Sequence, residues 1–445
     1  MFPIHRIALG AAAAAALALV LPTGPAHAAT TCKGLTATIV GTPGNDDIVA
    51  TNGNDVIASL AGDDVVYGLD GNDVICLGEG NDTGWGAGGS NTFLGGPGND
   101  SLWGNATTDT DTVVYEEAPG AVIVDLTAGD ASGGEGVDDL NFIGSVVGSF
   151  HDDVLVGDAG PNTLSGNYGD DFLDGRDGGD HLRGGDGEDE LFGAAGSDRL
   201  EGMGQRDQVE GGAGADALAG AFVNQGPSPE GDTVSYAGST VGVQLDLTAG
   251  TAVLTDGNDI VHGITDVRGS DHADTITASS AANVVEPGAG DDVVRTLGGN
   301  DTIYADAGTD VYDGGTETDR LSFEFRSGPV SVDLRSGSAT YEVNEASIAG
   351  IENVDGSPFG DRLVGNGAGN LFRGGFGDDT VSGGRGSDVL HGDSGKDVVR
   401  GAKDSDVLFG AAGADKLAGG EGTDTCDGGT ETDRARSCES VTSAP

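Results

Sequence analysis

Between Gly41 and Trp103 the chain reads GTPGNDDIV, ATNGNDVIA, SLAGDDVVY, GLDGNDVIC, LGEGNDTGW, GAGGSNTFL and GGPGNDSLW, seven nonapeptides without a slip. The same unit recurs at 106–114, eight times over 148–219, once at 227–235, six times over 269–322 and nine times over 356–436, 32 units in all. Position six is Asp in 28 of them and Asn at Asn91, Asn162, Asn283 and Asn370. Position eight is Ile, Val, Leu or Phe except at Gly84, Tyr312, Cys426 and Ala435. Glycines at positions one, two and four permit a turn with positive φ, and the acid at position six ends that turn. Positions seven to nine then form a short strand whose alternation points position eight inward. Two units make one coil, so each unit stacks on the next but one and the strands form two parallel sheets.

Composition alone is less decisive. The chain has 445 residues, with 20 Lys+Arg against 74 Asp+Glu for a net charge of −54, which excludes nucleic acid as a partner. With 83 Gly and 5% aromatics a single large packed core is not expected. A disordered acidic chain and a glycine-turn repeat both fit those figures, but a disordered chain has no reason to keep one aliphatic register over hundreds of residues.

Six units match G-G-x-G-x-D completely, beginning at Gly95, Gly184, Gly211, Gly374, Gly383 and Gly419. The unit resembles the haemolysin-type calcium-binding (RTX) nonapeptide G-G-x-G-x-D-x-U-x, a known β-helix repeat. The resemblance covers about residues 41–436. It implies an all-β fold, a right-handed parallel β-roll or β-helix solenoid of stacked nonapeptides, with calcium held between adjacent turns. Calcium takes six to eight oxygen ligands, and a glycine turn offers carbonyl oxygens while its Asp offers a carboxylate. One turn supplies too few ligands; two stacked turns supply a shell. Magnesium, which demands a smaller octahedral cage and keeps its waters, fits poorly. The candidate metal ligands are the position-six acids. In the first block these are Asp46, Asp55, Asp64, Asp73, Asp82, Asp100 and Asp111, and in the second Asp153, Asp171, Asp180, Asp189, Asp198, Asp207, Asp216 and Asp232. The third has Asp274, Asp292, Asp301, Asp310 and Asp319, and the fourth Asp361, Asp379, Asp388, Asp397, Asp406, Asp415, Asp424 and Asp433.

Residues 1–28 form a signal peptide: His5 and Arg6 precede an apolar run from Ile7 to Leu21, and Ala26-His27-Ala28 is a small-x-small cleavage site. The run is shorter than the roughly 20 residues of a spanning helix, so secretion is expected rather than a membrane span. Loss of Arg6 takes the net charge to −55. Four cysteines in a secreted chain point to two disulfides. Three pairings are possible; the placement of Cys32 and Cys76 near one end and Cys426 and Cys438 near the other favours Cys32–Cys76 and Cys426–Cys438. The resulting organisation is an N-terminal cap at 29–40, repeat blocks at 41–114, 148–235, 269–322 and 356–436, spacers at 115–147, 236–268 and 323–355, and a C-terminal end at 437–445.

The three spacers are equal in length and align internally. Each opens with an aromatic, carries an Asp ten positions later (Asp125, Asp246, Asp333) in an alternating strand, and leads to Gly-Ser at the next block. They are expected to be structural, as extra coils of the solenoid. The octapeptide DGGTETDR, at Asp313–Arg320 and Asp427–Arg434, fits module ends. Covered ends protect a solenoid from edge-to-edge aggregation.

No catalytic motif emerges. H-E-x-x-H and G-x-S-x-G are absent, and of His151, His181, His262, His272 and His391 only His262 lies outside the repeat. The basic residues are scattered along the chain, without the cluster a polysaccharide lyase or epimerase groove needs. Position three of the first block shows no rank of Thr of the kind ice binding uses, and nothing fills the role of a toxin's membrane domain. The expectation is a secreted, non-enzymatic protein that binds several Ca2+ ions and folds on binding them. An extracellular adhesin or matrix scaffold with a cell-surface partner is the alternative, and a polysaccharide-modifying enzyme a more distant one.

Overall fold

One aliphatic side chain per nonapeptide can be buried only against its counterparts in neighbouring coils, and that requirement sets the architecture. In the computed structural model, which describes residues 30–105, 110–220 and 231–442, short strands stack in parallel at the expected interval. Asp47–Val49 pairs with Val65–Tyr67, and Val56–Ala58 with Val74–Cys76, each displaced by two repeat units from its partner. Alternate units therefore feed two ladders. Each ladder is open: on one face the first strand, Asp47–Val49, and the last, Ser440–Thr442, have a single neighbour each. The result is an all-β parallel solenoid of about 22 turns, with no helix among the described residues. Segment 1–28 and parts of the units at 106–114 and 227–235 lie outside the described residues.

The core is the row of position-eight side chains between the ladders. Ile57, Val66, Ile75, Phe93, Leu102, Leu155, Leu164 and their successors are fully buried. The exceptions have local reasons. At Gly84 an added Cβ would lie 3.3 Å from Leu77 and 3.4 Å from Phe93, so those two side chains already fill the space. Tyr312 is buried because its hydroxyl donates to the Asp310 carboxylate at 2.9 Å. Cys426 is bonded to Cys438, and Cys32 to Cys76, with no free cysteine in the chain. The Cys32 bond ties the N-terminal hairpin of Thr31–Cys32 and Leu35–Thr36 to the opening coils; the Cys426 bond ties the last coil.

The spacers carry both ladders through without a break. In the first, Val122–Asp125, Asp130–Gly133 and Gly136–Asn141 form an antiparallel meander. Its last strand pairs in parallel with Ser101–Trp103 and its first with Val154–Val156. Ser145–Val147 continues the opposite ladder, between Thr112–Val114 and Thr163–Tyr168. The second and third spacers repeat this with Gln244–Asp246, Thr251–Val253 and Asn258–His262, and with Val330–Asp333, Ser338–Tyr341 and Asn344–Ala349, both on the other ladder. The Asp shared by all three spacers sits at the first hairpin turn: Asp125, Asp246 and Asp333 accept the backbone N–H of Ala128, Ala249 and Arg335. This side-chain-to-backbone turn bond is what short acids supply in tight turns.

Leu191→Ala removes a fully buried position-eight side chain in mid-solenoid. It is expected to cost about 2–5 kcal/mol in calcium, whereas Val284→Ala on the exposed face should cost about 0.5 kcal/mol or less; denaturant melts of the two variants make the comparison.

Candidate metal centre

Ending a turn two residues before an inward aliphatic puts the position-six side chain under the next coil. All the predicted acids are buried except Asp46, in the first turn. From Asp64 on, the carboxylates reach back one coil: Oδ1 of Asp64, Asp171, Asp292 and Asp379 accepts the position-six backbone N–H of Asp46, Asp153, Asp274 and Asp361 at 2.6–2.7 Å. This bond recurs along both turn edges and ties each coil to its predecessor.

The second carboxylate oxygen divides the turns into two kinds. In the first two units of every block, position two is Thr, Ser, Asp or Asn, and its backbone N–H donates to the position-six side chain of the same turn. The donors are Thr42 and Thr51, Ser149 and Asp158, Ser270 and Ser279, Ser357 and Asn366, at 2.5–3.1 Å. Hydroxyls of Thr51, Ser149, Ser270 and Ser357 add a second bond. These turns are closed: their own atoms satisfy the acid.

From the third unit on, position two turns left-handed among the described residues, Asp306 excepted. Its φ is +89° at Leu60, +84° at Gly96, +73° at Arg176, +91° at Met203, +99° at Gly375 and +87° at Ala402. Left-handed backbone at a non-glycine residue is strained, and it swings the N–H away from the acid. The consequence is an unpartnered, fully buried Oδ2 on 20 carboxylates: Asp64, Asp73, Asp82, Asp100, Asp171, Asp180, Asp189, Asp198, Asp207, Asp216, Asp292, Asp301, Asp319, Asp379, Asp388, Asp397, Asp406, Asp415, Asp424 and Asp433. Burial raises Asp100, Asp171, Asp292 and Asp379 to about 8 and Asp207 to about 9, with neighbouring acids adding to the rise and one backbone hydrogen bond opposing it. In the closed turn of Asp55, burial acts upward but bonds from Thr51 and Thr38 outweigh it and the carboxyl is lowered. The closed Asp153, Asp274 and Asp361 remain raised by burial, against several hydrogen bonds.

The Asn substitutions follow from the same accounting. The Nδ2 groups of Asn283 and Asn370 donate to the carbonyls of Thr265 and Glu352 one coil back, at 2.6 and 2.8 Å, and Asn162 reaches Gly144 at 3.5 Å. A carboxylate has no proton to give there.

Several participants escaped the sequence reading. Asp138 and Asp259, inside spacers, take the position-six role toward Asp100 and Asp216, and Glu352 and Glu439 do so toward Asp319 and Asp424. The signal was an acid two residues before an inward aliphatic, as in Asp138–Leu140 and Asp259–Val261. Tyrosine hydroxyls fill the other oxygen in the spacers: Tyr115 donates to Asp138 at 2.9 Å and Tyr236 to Asp259 at 3.2 Å. The third spacer has Phe323 and Ala346 at the matching places, and there Tyr312 and Tyr341 donate to Asp310 instead. Position five was also missed. Asn45, Asn54, Asp63, Asn72 and Asn81 each accept the position-five N–H of the following coil, so acids and amides cap the turn edge in both directions.

A buried carboxylate oxygen without a donor, in a glycine turn lined by backbone carbonyls, is a hard anionic ligand of the type calcium takes. No group of three or more His, Cys, Asp or Glu side chains converges among the described residues, so the rest of a shell would come from those carbonyls. The residues present fit calcium, and the open-turn acids are the ones that would hold it. The sequence model of the RTX calcium-binding nonapeptide repeat matches the chain at 40–75, 49–84, 85–110, 147–182, 183–218, 268–295, 286–321, 355–390, 364–399, 373–408 and 400–435. These segments span more than half of the chain, and the protein belongs to this family of calcium-binding repeat proteins. No curated protein matches it.

Two outcomes are expected. Asp379→Asn, in an open turn, should lower the calcium bound per chain in equilibrium dialysis, whereas Asp361→Asn, in a closed turn, should leave that number unchanged; equal losses would mean that charge rather than turn geometry holds the ion. The second concerns pH. Folded-state values raised from 3.8 to about 6 at Asp82 and about 9 at Asp207 mean that the stability these open-turn acids contribute to the metal-free roll is fully present below about pH 4 and is lost as pH rises through that range. In chelator, circular dichroism should therefore show more β-structure at about pH 5 than at about pH 9, and the reverse order would contradict the assignment.

Proposed function

We propose that this chain is a secreted, non-enzymatic calcium-binding protein whose β-roll orders when calcium enters the open turns outside the cell. The observation that carries this reading is the set of 20 buried carboxylates with a vacant hydrogen-bonding oxygen, each behind a left-handed turn. Without cations such a core has one aliphatic row to set against strained turns and a net charge of −54. One divalent ion per open turn supplies +40, most of that deficit. Extracellular calcium modules bind at roughly 0.1–1 mM, so many weak, cooperative sites are expected rather than a few tight ones. Two disulfides support an oxidising destination.

A second reading, an extracellular scaffold or adhesin rod stiffened by calcium, draws on the unbroken passage of both ladders through the spacers. Fractionation separates the two: a rod anchored to surface or matrix stays with the cells in calcium, while a free binding protein is recovered in the medium. For the primary reading, far-ultraviolet circular dichroism through a calcium titration at about pH 8 should show a steep gain of β-structure. A full β-spectrum in excess chelator at that pH would overturn it.

A further inference from the structure

The fold gathers basic residues that the sequence leaves scattered. In the last block, Val398–Lys403, Lys416–Glu421 and Arg434–Arg436 are successive strands of one ladder. Their outward positions seven and nine place Lys416 beside Arg434 in one column, and Arg400 and Arg436 either side of Ala418 in the other. The small Ala418 side chain leaves a depression of about 250 Å³ walled by the four cations. All four are exposed, and none makes an ion pair among the described residues. Where cations crowd elsewhere they share an acid: Arg183 and Arg199 both reach Glu201, and Arg320 and Arg373 both reach Asp355. From Arg362–Val364 to Arg434–Arg436 no position-seven or position-nine residue on this face is acidic, in a chain with 74 acids. Like charges on adjacent rungs, roughly 4.8 Å apart, repel unless an anion lies between them.

We propose that this face binds an acidic polysaccharide, with sulfate or carboxylate groups seated between the Lys416–Arg434 column and the Arg400–Arg436 column. Both columns run along the stacking direction, so a linear polymer laid along the solenoid meets a cation on successive rungs. A broad anionic surface such as a membrane would instead meet the acid-rich turn edges that border the face on both sides. The site stands on the sheet face, apart from the turns that take calcium.

The test is binding of dextran sulfate to the full chain in saturating calcium, with neutral dextran and vesicles of phosphatidylglycerol and phosphatidylcholine as the other arms. Lys416→Gln/Arg434→Gln should weaken dextran sulfate binding about tenfold or more and flatten its salt dependence, since fewer counterions are released. Arg400→Gln/Arg436→Gln should do the same, while Arg335→Gln, on a spacer hairpin, should change neither. Calcium-induced circular dichroism checks that each variant folds. Unaltered binding in both double variants, equal weakening by Arg335→Gln, or binding to the vesicles without binding to dextran sulfate would each overturn the proposal.

Discussion

The constraint on which the rest of the molecule depends is the burial of a carboxylate at the end of nearly every turn. Its Oδ1 holds the preceding coil through a backbone N–H, a structural bond that needs no metal. Its Oδ2 is a liability that must be met, because a buried acceptor without a donor costs about 1–3 kcal/mol, and more when charged. The chain meets it in three ways: a same-turn N–H and hydroxyl in the closed units, a tyrosine hydroxyl at the spacers, and nothing of its own in the 20 open units. Only the third leaves a place for an ion. On the proposed reading, calcium binding is the default that the other two arrangements suppress.

The distribution of the three explains the higher-order tandem. A site between turns needs two stacked glycine turns, and the first coil of each block stacks on a spacer or, at the N-terminus, on the short strand Ile39–Val40. That coil is closed in all four blocks, by Thr42 and Thr51 in the first and by Ser, Asp or Asn in the others. The Gly-Ser that opens each block after a spacer is thus the start of a self-satisfied coil, with the Ser hydroxyl and N–H both bound to the acid four residues on. The third spacer adds a natural control. Where Tyr becomes Phe323, the acid it would have served becomes Ala346, so no buried carboxylate is left stranded.

The stacking interval, the inward row and the disulfide pairing were legible in the sequence because each is a one-dimensional property: a period, an alternation, or a position near an end. The division into open and closed turns was only partly written there: Ser or Thr at position two marks a closed turn, but Asp158 and Asn366 are closed while Asn167 and Asp393 are open, so the sign of φ decides. Leu60, Arg176 and Met203 do not announce a left-handed backbone as glycine does. The spacer acids Asp138 and Asp259 were hidden by a gap in the period, since a meander of three strands separates them from the coil they serve. The basic face was invisible because Arg400, Lys416 and Arg434 lie on separate coils and meet only when those coils stack.

The most direct test of the central claim is anomalous difference density from calcium in crystals of the folded chain. Ions should lie along the turn edges beside the open-turn acids, such as Asp82, Asp189 and Asp397, and be absent beside Asp55, Asp153, Asp274 and Asp361. Peaks of equal strength at both kinds of turn, or ions held by surface carboxylates away from the turns, would contradict the account.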